Sequence, residues 1–258
     1  DLPAAAALMG PDVALVSLMA ANNETGVLMP VTEVAALAHA AGAALHVDAT
    51  QFIGKLPFDF AGCGADAVSF SAHKLQGPKG CGALLLRQGT ALQPQTLGSQ
   101  ERGRRGGTEN LPAIAGLAAA LDALGDAHAQ AAEAQRQAAL RDTLEQGLLR
   151  ALPATHVWSR GVPRLPGTSY LRFGALPAEL VLQRLERLGV AASSGAACSS
   201  GGSEPSHVLT AMGVPAEEAL CAVRLSLGRG STESEIRALL DSLPPLLAPL
   251  LQNETAAA

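Results

Sequence analysis

The sequence predicts an α/β protein, with a mostly parallel sheet in the first half and a smaller α+β unit in the second. Two observations predict this fold class. Short apolar runs of β-type residues alternate with a helical pattern in the first half, and a long helical stretch then leads into shorter strand and helix patterns. A chain of 258 residues is long enough to bury one large core or two modest ones.

In the first half, four apolar runs are predicted as strands. They are residues 13–19, 44–48, 67–71 and 83–87. A helix is predicted over residues 30–41, because Pro30 suits the first turn of a helix and Gly42 suits its end. The polar turn 22–26 follows the first strand, as expected at the point where a buried strand reaches the surface.

The domain boundary is predicted within a strongly helical stretch, residues 110–150, which Gly125 interrupts. This gives a partial large domain over residues 1–125 and a small domain over residues 126–258. In the small domain, strands are predicted at residues 168–173, 190–193 and 222–227, and helices at 177–188, 205–212 and 232–247.

Charge and hydropathy argue against two classes of partner. The net charge of -5 argues against nucleic acid as the main partner. No apolar run reaches the ~18 residues that span a membrane, so we expect no membrane partner. The four cysteines form no CxxC pair and fit neither a zinc site nor a small disulfide framework, which favours reduced thiols in a cytoplasmic protein.

Several polar side chains lie at or just past the ends of predicted strands. They are Asn23, Asp48, Gln51, His73 and Lys74. In open α/β sheets, ligands bind beyond the carboxyl ends of the strands. These five residues are therefore the first candidates for a functional site.

Lys74 lies between an apolar strand and a turn that contains Gly77 and Gly80. Taken alone, such a lysine is more often an ordinary surface residue. Its neighbours favour a different role, because Ser71, His73 and Lys74 can converge on one phosphate-bearing cofactor. A lysine amine that forms a Schiff base with an aldehyde is the first requirement of pyridoxal phosphate chemistry.

Asp48 follows Val47 at the end of a strand that we expect to be buried. A lone buried carboxylate is costly unless it is paired. It could cap the following turn, or it could hold the pyridine nitrogen of pyridoxal phosphate in its protonated form, which makes the ring an electron acceptor.

Cys198 lies in a stretch rich in serine, glycine and alanine. A single cysteine is more often inert and buried. The absence of bulky neighbours nevertheless favours an exposed, reactive thiol here. The other three cysteines, Cys63, Cys81 and Cys221, are interpreted as structural.

Arg224 is flanked by apolar strand residues and needs an anionic partner. One possibility is an internal salt bridge to a carboxylate of the closing helix. The other is a bidentate clamp on the carboxylate of a substrate, which suits the planar guanidinium group.

Together, the segments around Asp48, Lys74 and Cys198 resemble the cysteine desulfurases of the NifS/IscS type, in the class-V aminotransferase family. The resemblance runs from about Val13 to Leu240, and the spacing after Cys198 resembles the long-loop subgroup. It implies a fold-type I enzyme in which Lys74 carries pyridoxal phosphate and Cys198 attacks the sulfur of L-cysteine. The products would be L-alanine and a Cys198 persulfide.

The resemblance implies roles for further residues and partners. Ser71 and His73 would contact the cofactor phosphate, with His73 also counted among the catalytic residues; Asn23 and Gln51 would contact the ring oxygen or the substrate. Three further roles are implied: Asp48 at the ring nitrogen, Arg224 at the substrate carboxylate and Thr108 at the cofactor phosphate of the neighbouring subunit in a homodimer. Sulfur-acceptor or scaffold proteins are the expected partners, with sulfur destined for iron–sulfur clusters or thiolated molecules. No metal site is expected beyond a transient iron–sulfur contact at Cys198.

Members of this family carry a further segment before the part equivalent to Val13, with a phosphate-binding turn and a histidine that stacks on the cofactor. Neither motif occurs in this sequence, so we expect the chain to correspond to the C-terminal two-thirds of the family. Two alternatives stay open at this point. One is a related fold-type I enzyme, such as a selenocysteine lyase or an aminotransferase, and the other is a non-catalytic fragment that only binds partners.

Overall fold

The structure is a computed structural model that describes residues 1–194 and 204–257, with side chains described up to residue 252. By its internal contacts the chain divides into two units. The first unit comprises Asp1–Asn22 and Leu28–Ala131, and the second comprises Asn23–Val27 and Ala132–Ala258. The division therefore falls inside a helix, and five residues of the turn after the first strand group with the second unit.

The first unit is built around a four-stranded sheet. Its strands are β1 (Leu15–Met19), β2 (Ala44–Asp48), β3 (Ala67–Ser71) and β4 (Gly82–Leu86). Its helices are α1 (Leu2–Leu8), α2 (Val31–Ala40), α3 (Gln100–Gly103), α4 (Leu111–Asp122) and the start of α5 (Ala127–Ala151), with a 3-10 helix at Ala72–Leu75.

The strands of the first sheet follow the order β1-β2-β3-β4. The pairs β1–β2 and β2–β3 are parallel, and β3–β4 is antiparallel. The predicted mostly parallel sheet is therefore confirmed. The carboxyl ends of β2 and β3 lie side by side at one edge of the sheet, since parallel neighbours run in the same direction.

Only one face of this sheet is buried within the unit. Leu45, Val47 and Val68 alternate along the strands into a core shared with α2, and each is fully buried. The opposite face carries polar and partly exposed side chains, among them His46 and Ser69. The apolar face holds the strands in register, and the polar face carries hydrogen bonds described below.

The second unit holds an antiparallel sheet and several helices. Its strands are β5 (Thr155–Val157), β6 (Thr168–Phe173), β7 (Ser193–Ser194) and β8 (Val223–Ser226). Its helices are the rest of α5, α6 (Ala178–Arg187), α7 (His207–Ala211), α8 (Ala216–Ala219) and α9 (Glu233–Ala257).

The sheet of the second unit follows the order β5-β6-β8-β7, with all neighbours antiparallel. Leu171 and Phe173 of β6 are fully buried in a core with Leu148 of α5 and Val181 of α6. This arrangement of helices on an antiparallel sheet confirms the predicted α+β unit. Strand β8, which carries Arg224, lies between β6 and β7 and is therefore paired on both sides.

Several predicted elements need correction. The short strand predicted at residues 190–193 is β7 at Ser193–Ser194, and the helix predicted at 205–212 is reduced to α7. The closing helix extends to Ala257, past the predicted end at residue 247. Among the described residues, no helix is both long and apolar enough to cross a membrane.

Candidate active site

Two groups of polar residues, one in each unit, contain most of the candidate residues. In the first unit, Asp48 is the last residue of β2, and Ser71 ends β3. The register places Asp48 opposite Ser69, and the amide of Ala49 donates to the Ser69 carbonyl at 2.8 Å. The ends of β2 and β3 are thus joined by backbone hydrogen bonds. We call Asp48, Ser71, His73 and Lys74 the β2–β3 edge.

The 3-10 helix Ala72–Leu75 determines where Lys74 lies. Ala72 and Leu75 are buried, whereas His73 and Lys74 are exposed on the other side of the turn. The amide of Gly77 donates to the Ala72 carbonyl at 2.9 Å. A Cβ on Gly77 would lie 3.0 Å from that carbonyl oxygen, so the tight turn favours glycine.

Ser71 and His73 are already in contact. The Ser71 hydroxyl and the His73 Nδ1 atom form a hydrogen bond of 2.7 Å. Both groups lie within three residues of Lys74, and hydroxyl and imidazole N–H groups are both good donors to phosphate oxygens. The structure therefore brings the predicted phosphate contacts and the predicted amine into one turn.

Asp48 differs from expectation in its surroundings. Its side chain is exposed, so the expected burial is wrong. The Oδ1 atom accepts a hydrogen bond of 2.9 Å from the Thr50 amide, which is the turn-capping role that the sequence left open. Within the described residues no group donates a hydrogen bond to Oδ2, so this carboxylate oxygen can still accept one from a ligand.

Gln51 and Thr108 are less clearly placed. The Gln51 Oε1 atom accepts a hydrogen bond of 2.5 Å from Lys55 Nζ, four residues later in the chain. Thr108 is exposed and follows Gly107, whose φ of 99° is typical of glycine. The roles of Gln51 and Thr108 stay predictions.

His46 is a residue whose position the sequence did not reveal. Its ring bonds to the Ser17 hydroxyl on β1 at 2.8 Å and to the Ser69 hydroxyl on β3 at 2.9 Å. The three strands are therefore linked through one imidazole on the same face as Asp48, since alternate residues of a strand share a face. Alternation of polar residues along β2 was the only available signal.

In the second unit, Arg224 lies on β8 directly across from Tyr170 on β6 and Ser193 on β7. Its Nη1 atom donates a hydrogen bond of 2.5 Å to the backbone carbonyl of Asn23. No ion pair joins Arg224 to a carboxylate in the described part of the chain. The alternative of a salt bridge to the closing helix is therefore wrong for the described residues, and Asn23 and Arg224 are brought together.

A second feature that the sequence did not reveal is a buried network around Glu24. The Glu24 carboxylate accepts hydrogen bonds from the Tyr170 hydroxyl at 3.1 Å and from the Ser206 hydroxyl at 2.5 Å. Glu24 and Ser206 are each 2% exposed, and Tyr170 is fully buried. We call these three residues the Glu24 network.

The surroundings of Tyr170 follow from this burial. Burial has the largest effect and raises the pKa of the Tyr170 hydroxyl; the hydrogen bond with Ser206 lowers it, the charge and hydrogen bond of Glu24 raise it, and the charge of Arg224 lowers it, so that the pKa lies above its ordinary value. The hydroxyl therefore stays protonated and remains a donor to Glu24. The ring of Trp158 packs against that of Tyr170, with centroids 5.2 Å apart.

Cys198 lies outside the described residues, in the stretch between Ser194 and Glu204. Its predicted exposure and reactivity stay predictions. Cys63 and Cys81 have free thiols, and the buried Cys221 thiol donates to the carbonyls of Ala175 and Glu217 at 3.3 Å. In the described part of the chain, no cluster of three or more histidine, cysteine, aspartate or glutamate side chains could hold a metal ion.

Comparison with known proteins identifies the family. The family model described as "Aminotransferase class-V" matches residues 1–239 of this chain. This chain belongs to the class-V aminotransferase family. Class-V aminotransferases use pyridoxal phosphate, so the cofactor class and the fold class predicted from the resemblance are confirmed at the level of the family.

Three similar proteins have names or titles that refer to a cysteine desulfurase, to NifS or to bound cysteine. A cysteine desulfurase of Cereibacter sphaeroides is 48% identical over 97% of this chain and 64% of its own length. A NifS-like protein of known structure is 34% identical, with a TM-score of 0.85 over 96% of this chain and 65% of that one. A structure described as SspA in complex with cysteine is 30% identical, with a TM-score of 0.72 over 88% and 62% of the two chains.

The predicted resemblance to NifS-type cysteine desulfurases is thus confirmed as a sequence and structural similarity. The chain spans less than two-thirds of the length of each of these three proteins.

Proposed function

We propose that the protein is a pyridoxal-phosphate-dependent cysteine desulfurase that converts L-cysteine to L-alanine and retains the sulfur on Cys198. The single observation that carries this proposal is the β2–β3 edge. Its amine, hydroxyl, imidazole and carboxylate occur in a chain of which 97% aligns with a cysteine desulfurase at 48% identity.

The residues of the β2–β3 edge fit pyridoxal phosphate by their chemistry. Lys74 offers an exposed amine for the aldehyde group, and Ser71 and His73 offer a mutually bonded pair of donors for the phosphate. Asp48 offers a carboxylate at the end of the neighbouring strand. When bound, the cofactor supplies an aldehyde for amine exchange and an electron-accepting ring.

Each residue of the chain then has a defined task. Lys74 holds the cofactor and, as a free amine, moves the Cα proton of the substrate. Asp48 keeps the ring nitrogen protonated, and Ser71 with His73 orients the phosphate. Arg224 pairs with the α-carboxylate of L-cysteine through its planar guanidinium group.

Sulfur transfer is assigned to Cys198. Its thiolate attacks the substrate Sγ, so that a sulfur–sulfur bond forms and the Cβ–Sγ bond breaks. The electron pair of that bond stays with Cβ, which takes up a proton to give L-alanine. A thiolate is the nucleophilic form of cysteine, and a few per cent of an ordinary thiol with a pKa of about 8.5 is ionised at neutral pH.

We further propose a cytoplasmic homodimer that delivers sulfur to acceptor or scaffold proteins. The free thiols of Cys63 and Cys81 support a reducing location. Thr108, in an exposed loop, is proposed to contact the cofactor of the second subunit.

The test is a matched pair of cysteine variants in the natural gene product. Cys198→Ser should keep its cofactor absorbance but form no persulfide from L-cysteine, because a serine hydroxyl is a much weaker nucleophile at neutral pH. Cys63→Ser is the control, since its thiol only donates to the Phe60 carbonyl, a bond that serine can also make. Alanine and persulfide formation are measured by amino-acid analysis and by alkylation with mass spectrometry.

Three results would contradict the proposal. One is unchanged persulfide formation in Cys198→Ser. The second is a wild-type protein that transaminates L-cysteine. The third is a wild-type protein that accepts selenocysteine alone and releases no alanine from L-cysteine.

A further inference from the structure

The buried carboxylate of Glu24 has no place in the chemistry proposed above. An ionised carboxylate that is 2% exposed is costly unless hydrogen-bond donors surround it. Tyr170 and Ser206 supply two such donors, and both point to the same oxygen, Oε2. The fold therefore spends two buried hydroxyl groups on this one oxygen atom.

The two donors lie on β6, the strand that pairs with the strand of Arg224, and at the start of α7. Tyr170 lies directly across from Arg224 in the β6–β8 register. Ser206 is the N-cap of α7, where its hydroxyl also accepts a hydrogen bond of 3.1 Å from the Leu209 amide. Glu24 thus fixes the strand next to Arg224 and the first turn of a neighbouring helix.

The backbone beside Glu24 contacts Arg224 directly. The carbonyl of Asn23 accepts the hydrogen bond from Arg224 Nη1 at 2.5 Å. The same turn is held further along by the Leu165 amide, which donates to the Gly26 carbonyl at 2.8 Å. If the Glu24 side chain shifts, the Asn23 carbonyl shifts with it, and the guanidinium group loses the acceptor that sets its direction.

We propose that Glu24 is a positioning residue for Arg224, acting through the Asn23 carbonyl and through Tyr170, so that the guanidinium group is held ready for an amino-acid carboxylate. The inference rests on the proposed function for the identity of that carboxylate. It concerns only residues within the second unit. Glu24 itself does not touch the substrate.

The main variant is Glu24→Gln, which keeps the shape of the side chain but removes its charge and one acceptor oxygen. The neutral amide oxygen accepts hydrogen bonds more weakly than the charged carboxylate oxygen does, so both hydroxyl donors are held less firmly. In the natural gene product with its cofactor, we expect the KM for L-cysteine to rise about tenfold, the scale of a lost hydrogen bond to a charged group, while kcat stays within about twofold. Tyr170→Phe, which removes one donor and keeps the ring, should raise KM by about threefold.

Glu145→Gln is the matched control. Glu145 is also 2% exposed and lies in the same unit, but its partner is Arg164, at 2.6 Å. This variant should lower the melting temperature without raising KM. The pair therefore separates loss of a buried carboxylate in general from loss of the carboxylate beside Asn23.

Binding of L-alanine, which carries the same carboxylate and no thiol, gives a readout besides turnover. By calorimetry, Glu24→Gln should weaken this binding about tenfold relative to wild type. If Glu24→Gln does not fold, the Tyr170→Phe protein takes its place in both measurements. The inference is wrong if KM and L-alanine affinity are unchanged, if Glu145→Gln changes them equally, or if the wild type binds no amino acid. If the wild type releases no alanine from L-cysteine while Glu24→Gln still weakens L-alanine binding, the proposed function fails and the inference stands.

Discussion

The β2–β3 edge and the Glu24 network differ in how their polar groups are paired. At the edge, His73, Lys74 and Asp48 are exposed, and several of their atoms have no partner in the described part of the chain. In the network, Glu24, Tyr170 and Ser206 are almost fully buried and bonded to one another. Groups that must bind a ligand are left open, whereas groups that must hold others in place are closed off from water.

This difference gives different expectations for mutation. Removing an exposed group at the edge should change the chemistry and leave stability nearly unaltered. Removing a buried group of the network should cost stability, because a partner is left without its hydrogen bond.

Lys74→Ala should abolish covalent cofactor binding and lower the turnover of L-cysteine by at least about a thousandfold, as expected when the base that moves the substrate proton is lost. The free energy of unfolding of the cofactor-free protein should change by less than about 0.5 kcal/mol, because the side chain is exposed. Borohydride reduction with mass spectrometry and denaturant titration measure the two effects.

Lys79→Ala is the control for Lys74→Ala. Lys79 is exposed in the same turn and should be replaceable without loss of cofactor. Covalent cofactor retained in Lys74→Ala, or lost in Lys79→Ala, would show that the amine has been assigned to the wrong lysine.

Ser71→Ala should weaken the binding of pyridoxal phosphate about tenfold, through the loss of one hydrogen bond to a charged group. Pyridoxal, which lacks the phosphate, provides the control ligand. The affinity for pyridoxal should be the same for wild type and variant. Fluorescence titration measures the affinities of both proteins for both ligands. An equal loss for the two ligands would mean that Ser71 shapes the turn rather than contacting the phosphate.

Ser206→Ala should lower the free energy of unfolding by about 2 kcal/mol, since it removes the N-cap of α7 and one of the donors to a buried carboxylate. Ser234→Ala, at an exposed position in α9, should change it by less than about 0.5 kcal/mol. Urea titration of the two variants compares them. Equal values would remove the contrast between the buried network and exposed sites.

Asp66 gives the smallest effect, and it depends on pH. Partial burial raises the pKa of this carboxyl, but hydrogen bonds from the Leu45 amide and His39, with the charges of His39 and Arg87, outweigh it and hold the pKa below its ordinary value. Because the folded pKa lies below the unfolded one, the stabilisation is full above about pH 4 and is lost as the pH falls through the folded pKa.

Asp66→Asn should therefore reduce the steepness with which stability falls in acid. Urea titrations from neutral pH to the acid limit of the folded state compare the variant with wild type. Parallel curves for the two proteins would show that Asp66 makes no acid-dependent contribution.

Sequence reasoning located the elements whose pattern is local. The strands β2, β3 and β6 have the predicted bounds, because alternating or continuous apolar residues fix them within five or six positions. The predicted end of α9 at residue 247 was too early; Pro249, just past it, ordinarily interrupts a helix. Leu250 and Leu251 pack against the core and favour continuation of this helix past residue 247.

The candidate site shows the same limit. Ser71, His73 and Lys74 lie within four positions of one another, so the sequence alone reveals that they share one turn. The Glu24 network joins residues that are 146 and 182 positions apart, and nothing in the local pattern of either partner indicates the other. Contacts of that kind depend on how β6 and the Asn23–Val27 segment meet within the second unit.

The packing of Trp158 against Tyr170 has an optical consequence. This sequence contains one tryptophan and one tyrosine, and their rings lie 5.2 Å apart. At that distance, light absorbed by the tyrosine passes to the indole before the phenol can emit. The folded chain should therefore emit as a tryptophan alone, and a separate tyrosine band should appear only when β6 comes away from Trp158. Unfolding of this part of the second unit can thus be followed by the intrinsic fluorescence spectrum, without any added label.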